Sequence, residues 1–405
     1  MEKKENNLKS ILILFAIILA VILVLVFFKN TPIWNIVVLL LMLSLLIFVH
    51  EGGHFIAAKK CGVHVYEFAL GMGPKVLSFK RKNDPTEYTL RALPIGGFCA
   101  MAGEEGEDDE SLDKDKFMCN KSKIKRIIIL VAGVTMNFIT AIILLFIIGL
   151  SFGSTEQKSI IGRVESGSPA DVAGLKVNDK IIECNGYKIS TWDKLTIVTN
   201  LKNKNNYYEY KVEHEDGSVD TYKITPDEYV VIGNETIKLD ENNKLKDVLK
   251  KYGKKESEVT VSKLVGIAAS SEIKKDFLSA LKYAFSKFGS IVSTMLLILG
   301  SLFTGKLGLS ALSGPVGMYS VVGTVASLGF ANLIYLTAYL SINLGVLNIL
   351  PFPAFDGGRV LFVLIEAITR KKVDPKIEGY FHSIGFILIM LLMVYITFQD
   401  VLRLF

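Results

Sequence analysis

The chain has 405 residues, of which 50% are hydrophobic, and it carries a formal net charge of +6. This apolar content excludes an ordinary soluble protein and predicts several membrane-spanning helices joined to globular parts. Much of the positive charge comes from Lys and Arg clusters beside apolar segments, so we predict no nucleic-acid binding.

The first apolar segment, Ile11–Phe28, is interpreted as an extra N-terminal transmembrane helix within residues 1–30. Its basic flank MEKKENNLK is typical of a signal peptide, but its apolar core exceeds the usual ~7–15 residues. The following FFKNTPIW has no pair of small residues for cleavage. We therefore predict that this helix is retained.

Four further apolar segments are long enough to cross a bilayer. They are Trp34–Val49, Ile127–Phe152, Leu333–Leu350 and Ile384–Phe398. A shorter segment, Ile291–Phe303, has only about 13 residues. Its upstream flank FLSALKYAFSKF alternates apolar and basic positions, which is typical of a helix at the membrane surface. We predict that residues 271–330 form interfacial or re-entrant helices.

The Lys and Arg residues predict the orientation of these spans. Clusters flank the spans at Lys3–Lys9, Lys59–Lys60, Lys121–Arg126 and Thr369–Lys372. Five spans place all four clusters on the cytoplasmic side, in agreement with the positive-inside rule. The N-terminus is then cytoplasmic, whereas the segment from Ser154 to about Phe330 and the C-terminus are extracytoplasmic.

The second span ends in VHEGGHF, which contains His50, Glu51 and His54. Ionisable groups at this depth are costly, so they need a compensating partner, which a metal ion supplies. Residues four apart share a helix face, so both imidazoles can bind one zinc ion while Glu51 acts as general base on a bound water. HExxH alone is short and occurs in many proteins that are not enzymes. Its depth in an apolar helix favours a catalytic zinc site here.

A catalytic zinc ion usually has three protein ligands and an open position for water. The best candidate for the third ligand is Asp356 in NILPFPAFDGG. Pro351 and Pro353 interrupt the fourth span near its cytoplasmic end, on the same side as HEGGH. Irregular backbone at membrane depth is tolerated where it is buried in protein. A plain Pro-Gly turn at the end of a span is the alternative interpretation.

HEGGH followed by N-x-x-P-x-P-x-x-D-G resembles the site-2 protease family of intramembrane zinc metalloproteases. Further motifs resemble its bacterial RseP type in the same order: GMGPK, RALPIGGF, AGVTMNF, a PDZ-like segment and SGPVG. The resemblance covers the chain from about Trp34 to Phe405. The sequence departs from the family in two places. An extra helix within residues 1–30 precedes the span that contains HEGGH, which is commonly the first span in the family, and Phe355 stands where the family usually has Leu.

This resemblance implies one zinc ion (Zn2+) per chain, held by His50, His54 and Asp356, with Glu51 as the catalytic base. It also implies cleavage of single-span membrane proteins or signal-peptide remnants within the bacterial inner (plasma) membrane. Regulated intramembrane proteolysis, such as anti-sigma factor release, is the role implied at family level. The alternatives are a PDZ-containing membrane scaffold or adaptor with a structural metal site and, with less support, a transporter.

Residues 62–122 are predicted to form a cytoplasmic β-loop. The runs KVLSFK and TEYTLRALPIGGF, separated by KRKNDP, predict a hairpin that ends at Gly96 and Gly97. The resemblance implies a membrane-associated β-structure beside the active site. Either its edge holds an unwound substrate by strand addition, or the hairpin only plugs the cytoplasmic mouth. The acidic run EEGEDDE is predicted to be a solvated loop.

Several residues are candidates for substrate binding or active-site support. Asn137 lies inside the third span, where its amide is expected to bond to a neighbouring helix. The resemblance implies a place near the active site, in contact with substrate or with the transition-state oxygen. The whole group comprises Asn137, Asn348, Pro351, Pro353, Gly96 and Gly97. No metal-binding role is predicted for His64, His214 and His382.

Residues 154–270 are predicted to form an extracytoplasmic PDZ-like region. Within Ile160–Gly186, SPADVAGL predicts a short helix that begins near Pro169, and KIIECNG predicts a strand that enters a turn. Asn178 replaces the usual Gly before Asp, at a position where Asn tolerates a left-handed conformation. The region is expected either to bind extended peptide segments by strand addition or to act as a size filter.

The predicted fold class is therefore a polytopic α-helical membrane protein of about five spans, with a cytoplasmic membrane-associated β-hairpin and an extracytoplasmic PDZ-like α+β domain. The metalloprotease core is expected in residues 31–153 and 331–405. The predicted partners are the lipid bilayer, membrane-protein substrates and peptide segments at the PDZ-like region.

Overall fold

The computed structural model of the protein describes most of the chain after residue 30. The described residues are 31–104, 109–155, 158–203, 205–232, 235–240, 243–254, 259–270 and 273–403, together with the isolated positions 19, 23, 24 and 27. Apart from those positions, the predicted first span Ile11–Phe28 lies outside the described residues. The chain divides into two compact units, Met1–Leu145 with Leu312–Leu402 and Phe146–Ala311 with Arg403–Phe405.

The helices and strands follow one another from Pro32 onward. The helices are α1 (Pro32–Lys60), α2 (Lys123–Phe152), α3 (Pro169–Ala173), α4 (Trp192–Asn200), α5 (Leu245–Tyr252), α6 (Phe277–Phe303), α7 (Pro315–Ser327), α8 (Phe330–Ile349), α9 (Asp356–Thr369) and α10 (Pro375–Leu402). The strands are β1 (Val65–Lys80), β2 (Glu87–Met101), β3 (Ser154–Thr155), β4 (Ile161–Val164), β5 (Lys180–Cys184), β6 (Tyr187–Lys188), β7 (Tyr208–Glu213), β8 (Val219–Ile224), β9 (Asp227–Ile232), β10 (Glu235–Leu239), β11 (Thr260–Leu264), β12 (Ile267–Ala269) and β13 (Ile273–Lys274).

Among the described residues, six helices are long and apolar enough to cross a membrane. They are Pro32–Lys60, Lys123–Phe152, Phe277–Phe303, Leu309–Ser327, Phe330–Ile349 and Lys376–Leu402. This set fits a polytopic α-helical membrane protein and adds two helices, Phe277–Phe303 and Leu309–Ser327, to the predicted spans. The second addition is rich in Gly and Ser, which lowers its mean hydropathy and hides it from a search for apolar runs.

The helix that contains Ile291–Phe303 is longer than the sequence indicated. The segment is the second half of the continuous 27-residue helix α6. The basic residue Lys287 in its first half is buried and binds Asp193 with an Nζ–Oδ2 distance of 2.8 Å. Ser290 also donates a hydrogen bond to Asp193, at 2.8 Å. One of the basic positions expected to face lipid headgroups therefore faces a carboxylate of its own unit.

Helix α1 positions the histidine pair through a four-residue repeat of buried side chains. The helix begins after Thr31, whose Oγ1 accepts a hydrogen bond from the Trp34 backbone N–H at 3.3 Å, and Pro32 occupies its first turn. Its buried stripe consists of Trp34, Val38, Met42, Leu46, His50 and His54. Since residues four apart share a face, the apolar stripe continues directly into the polar pair.

Strands β1 and β2 form the predicted antiparallel hairpin, and they are longer than expected. The first part of β1, Val65–Leu70, pairs with Gly97–Met101, and the last part, Leu77–Lys80, pairs with Glu87–Leu90. Phe68 lies opposite both Cys99 and Tyr88, so the first part of β1 pairs with the last part of β2 on one side and with the first part of β2 on the other. The long hairpin therefore folds back on itself. Ser44 of α1 donates a hydrogen bond to the Pro94 carbonyl at 3.0 Å, which places one end of this sheet along the apolar half of α1.

Within the described residues, the second unit contains two larger sheets and two short strand pairs, β4-β12 and β3-β13. The four-stranded sheet has the order β6-β5-β7-β8 and packs buried residues such as Ile181, Tyr210 and Val212 against the short helices. The three-stranded sheet has the order β10-β9-β11 and consists of strands that follow β8 in the chain. The predicted local features are present: α3 begins at Pro169, β5 covers the run KIIEC, and Asn178 has a φ of 74°.

Candidate metal centre

Three side chains from two distant segments converge on one point. His50 and His54 lie one turn apart on α1, and their Nε2 atoms are 3.2 Å apart. Asp356 is the first residue of α9, and its Oδ2 lies 3.1 Å from His50 Nε2 and 3.3 Å from His54 Nε2. These three residues form the only group of three or more metal-ligand side chains within the described part of the chain.

The spacing and chemistry of these three donors fit a zinc ion. Ligands at about 2.0–2.2 Å around a tetrahedral zinc lie about 3.3–3.6 Å from one another, close to the distances found here. Two imidazole nitrogens and one carboxylate are also a typical donor set of a catalytic zinc site. Gly133 of α2 leaves room for them, because a Cβ atom there would lie 2.4 Å from His54 Nε2.

The tautomer of His54 leaves its Nε2 available to a metal. His54 Nδ1 lies 2.8 Å from the backbone carbonyl oxygen of Ile129. A carbonyl oxygen only accepts hydrogen bonds, so Nδ1 must carry the proton and the neutral ring has its lone pair on Nε2. In this neutral form the lone pair of His54 Nε2 and the carboxylate of Asp356, 3.3 Å apart, can share one metal ion.

Asn137 can fix the tautomer of His50 in the same way. Its carboxamide nitrogen is placed 3.2 Å from His50 Nδ1, while its Oδ1 is buried and has no hydrogen-bond partner among the described residues. A 180° rotation of the carboxamide exchanges its oxygen and its nitrogen. In the rotated form His50 Nδ1–H donates to Oδ1, which satisfies the buried oxygen and leaves the lone pair on His50 Nε2.

Glu51 lines a cavity of about 760 Å³ together with His54 and Asp356. The hairpin runs beside it: a Cβ atom at Gly97 would lie 3.7 Å from Glu51 Cγ and 2.9 Å from the Ala69 carbonyl oxygen. Gly96 has a φ of 90°, a conformation that side chains other than glycine rarely adopt. The glycine pair therefore lets the last part of β2 pass next to the carboxylate.

The segment between α8 and α9 carries the remaining predicted site residues. Asn348 lies in the last turn of α8, with its Nδ2 3.5 Å from His50 Nε2. Pro351 and Pro353 stand between the two helices, where the chain is not helical. Gly357 is required for the following turn, since a Cβ atom there would lie 2.2 Å from the Leu350 carbonyl oxygen. This turn brings Asp356 back to α1.

Three residues at this cavity were not recognised from the sequence, although all three line it. His382 accepts a hydrogen bond from the Ala354 N–H at 3.1 Å and so holds the segment before Asp356. Arg359, one turn after Asp356, forms an ion pair with Glu104. The prediction that EEGEDDE is only a solvated loop is therefore wrong at Glu104. Ionisable residues in or beside apolar helices were the available signal.

Comparison with known proteins gives the family. The sequence profile of peptidase family M50 matches residues 38–392, which is most of the chain. This chain belongs to peptidase family M50. It is thus a zinc metallopeptidase of the site-2 protease family with several membrane helices, and the predicted family, enzyme class and cofactor are confirmed.

Individual relatives of this metallopeptidase align over nearly their whole length. A Clostridium acetobutylicum protein named as a zinc metalloprotease is 36% identical over 368 residues, which cover 91% of this chain and 97% of the relative. The zinc metalloprotease RasP of Shouchella clausii is 31% identical, with 89% and 97% covered. The regulator of sigma-W protease RasP of Bacillus subtilis is 31% identical, with 93% and 100% covered.

Proposed function

We propose that this metallopeptidase cleaves membrane-bound substrates within the bilayer, where the substrates are single-span membrane proteins or signal-peptide remnants. The observation that carries the proposal is the cluster of three donor atoms, 3.1–3.3 Å apart, two of them on a helix apolar enough to span a membrane and the third at the start of α9. The name of the Bacillus subtilis relative, regulator of sigma-W protease, supports a role in regulated proteolysis such as anti-sigma factor release.

We assign the chemistry to four residues. His50, His54 and Asp356 hold the zinc ion, which when bound acidifies a water molecule and polarises the peptide carbonyl. Glu51, adjacent to the first ligand and facing the same cavity, takes the proton from the attacking water. The same carboxyl group then delivers that proton to the leaving amine.

The residues around this centre would hold the substrate in an extended form. A helical substrate must be unwound before its peptide bond is accessible, and an exposed strand edge provides hydrogen bonds for the unwound segment. The passage of Gly96 and Gly97 beside Glu51 supports β2 as that edge. Asn348, which lies 3.5 Å from His50 Nε2, and the turn containing Pro351 and Pro353 complete the support of the site.

The proposed topology follows from the Lys and Arg distribution. The N-terminus and residues 62–122 lie in the bacterial cytoplasm, and residues 154–270 and the C-terminus lie outside the plasma membrane. In this arrangement the region 154–270 is a PDZ-like filter or peptide-binding module, and residues 1–30 and 271–330 flank the catalytic core of 31–153 and 331–405. The strand β5 and the helix α3 that begins at Pro169 support the PDZ-like assignment.

The proposal is tested by cleavage of a panel of single-span substrates in detergent, with zinc content measured on the same samples. Wild type and Glu51→Gln are both expected to retain about one zinc per chain, and only wild type is expected to cleave. Glu110→Gln, which changes an exposed glutamate of the proposed cytoplasmic loop 62–122, is the matched control and should cleave like wild type. Cleavage by Glu51→Gln at the wild-type rate would remove Glu51 from the mechanism.

A further inference from the structure

A second cavity, separate from the metal centre, opens between α1 and the hairpin. It has a volume of about 960 Å³ and shares no lining residue with the cavity that contains Glu51. One wall is a face of α1 formed by Phe48, Gly52, Phe55 and Ile56. The other wall is the hairpin sheet, and we name the space between them the α1–hairpin groove.

The walls of this groove are apolar and aromatic. The rings of Phe68 and Tyr88 from the sheet pack against Phe55 of α1, with centroid distances of 5.0 and 5.8 Å. Phe48 and Phe79 also line the groove, and both remain about half exposed. An open apolar surface of this kind is stable only if lipid or another apolar partner covers it.

Gly52 forms the floor of the groove on the helix side. Within the part of the chain that the structure describes, a Cβ atom at Gly52 would meet no heavy atom within 4 Å, whereas one at the neighbouring Gly53 would lie 2.4 Å from the Ala132 carbonyl oxygen. Gly53 therefore serves the packing of α1 against α2, but Gly52 serves no protein contact of this kind. Its missing side chain widens the groove.

The length and direction of the groove match one leaflet of a membrane. The stretch of α1 from Phe48 to Ile56 is ~12 Å long, and half of the hydrocarbon core of a bilayer is ~15 Å thick. The groove ends near Lys59 and Lys60, the residues at which α1 leaves its apolar run. An acyl chain in the groove would thus lie parallel to its neighbours in the bilayer.

The mouth of the groove is positively charged. Lys80 and Arg81 line it, and both are exposed. The two acidic residues of the same turn already bind other cations: Asp84 lies 2.5 Å from Lys59, and Glu87 lies 2.9 Å from Lys75. The mouth therefore attracts anions, which at the cytoplasmic surface of a membrane are lipid headgroups.

We propose that the α1–hairpin groove is a binding site for an anionic phospholipid. An acyl chain fills the aromatic groove over Gly52, and the phosphate headgroup binds Lys80 and Arg81. The bound lipid forms part of the contact between the hairpin and α1. It thereby stabilises the position of the sheet that passes Glu51. The inference uses the membrane span assigned to α1 but not the proteolytic chemistry.

The test is native mass spectrometry of the full-length protein in detergent, titrated with phosphatidylglycerol or with phosphatidylcholine of the same acyl chains. Wild type is expected to bind one phosphatidylglycerol at least about tenfold more tightly than phosphatidylcholine, since each basic residue near an anionic surface contributes about a factor of five. The double variant Lys80→Glu with Arg81→Glu should lose this preference. Lys371→Glu with Lys372→Glu, an exposed basic pair that does not line the groove, is the matched control and should keep it.

A second variant tests the apolar part independently of charge. Gly52→Leu places a side chain in open space and should abolish the tight binding of phosphatidylglycerol while zinc content is unchanged. Equal affinity for the two lipids in wild type, or unchanged phosphatidylglycerol binding in both groove variants, would overturn the proposal. A dimer that forms in place of the lipid adduct would assign the groove to a second copy of the chain. None of these readings depends on cleavage, so the proposed function stands or fails separately.

Discussion

Asn137 is fully buried between two helices, and its contact with His50 gives it a role beyond helix packing. With the carboxamide rotated by 180°, its oxygen accepts the proton of His50 Nδ1 and leaves the lone pair of Nε2 for the proposed metal site with His54 and Asp356. A backbone carbonyl does the same for His54. Both imidazoles of the proposed zinc site therefore have a partner on α2, one a side chain and one the backbone.

Asn137→Leu keeps the volume but removes the acceptor, so zinc affinity should fall by about 10–100-fold. Zinc titration against a competing chelator measures this change directly. Asn332→Leu, which removes an exposed amide from α8, is the control and should bind zinc like wild type. Wild-type zinc affinity in Asn137→Leu would show that the ring of His50 is held by other contacts.

His214 gives the second unit a dependence on pH. Its Nδ1 lies 2.7 Å from Asp179 Oδ1, and its Nε2 lies 3.4 Å from Asp220 Oδ2. The hydrogen bond to Asp179 raises the pKa of His214 above its ordinary value, against a smaller opposing effect of burial. A raised pKa means that the folded state binds the proton more tightly than the unfolded state does.

The contribution of His214 to stability should be fully present below about pH 6.5, the ordinary histidine pKa, and lost as the pH rises through the raised value. Thermal unfolding between pH 5.5 and 9, followed by a probe in the second unit, measures it. His214→Gln should flatten this part of the pH profile. A profile that is the same in the variant and in wild type would contradict the prediction.

At the scale of elements, two adjacent glycines of α1 have opposite environments. Gly53 lies against the backbone of α2, because its hypothetical Cβ atom would be 2.4 Å from the Ala132 carbonyl oxygen. A Cβ atom at Gly52 would have no heavy atom of the described residues within 4 Å. The helical spacing of HEGGH thus places one glycine at a helix–helix contact and the other at the groove.

Gly53→Ala should destabilise the protein by about 1–3 kcal/mol, since α1 and α2 must separate to admit the methyl group. Gly52→Ala should be neutral or should stabilise the helix by up to about 1 kcal/mol, because Ala is the better helix former. Thermal unfolding of both variants in the same detergent measures the difference. Equal effects of the two substitutions would mean that α1 and α2 do not pack this closely.

The hairpin illustrates how an element can be predicted while its role is not. The alternating runs on either side of KRKNDP indicate two strands, and both form. The fold of this hairpin back on itself, with Phe68 opposite both Tyr88 and Cys99, depends on contacts with α1 that have no local signature. The same contacts put Gly97 beside Glu51.

At the scale of the whole molecule, a carboxylate joins two helices far apart in the sequence. Asp400, near the end of α10, is buried, and its Oδ2 accepts hydrogen bonds from the backbone N–H groups of Gly314 and Gly317, each at 2.8 Å. These groups belong to the start of α7, where a negative charge is favourable. Cβ atoms at both glycines would lie about 3 Å from this carboxylate, so the motif SGPVG admits it.

Asp400→Ala should lower stability by about 1–3 kcal/mol, because it leaves buried N–H groups without their acceptor. Thermal unfolding in detergent, with zinc content as the measure of an intact core, tests this prediction. The neighbouring variant Gln399→Ala should have a smaller effect, since Gln399 is partly exposed and donates a hydrogen bond to Tyr395 of its own helix. A stability of Asp400→Ala equal to that of Gln399→Ala would remove the proposed link between α7 and α10.

Several properties of this protein follow from local sequence alone. The apolar runs and the five-residue motif HEGGH specify membrane helices and a histidine pair, because helix periodicity alone puts positions 50 and 54 on one face. The turn signals in SPADVAGL and the αL position at Asn178 are local in the same sense. The full length of α6 did not follow from local sequence, because its buried residue Lys287 binds Asp193, which lies almost a hundred residues away in the chain.

Asp356 and Asn137 were already candidates from their motifs, but only the tertiary structure gave their distances to the histidine pair. It also brought His382, Arg359 and Glu104, which the sequence did not indicate, to the same cavity. The physical reason is that sequence periodicity reports which residues share a face of one element, whereas a metal site and its hydrogen bonds require particular atoms of several elements within about 3 Å.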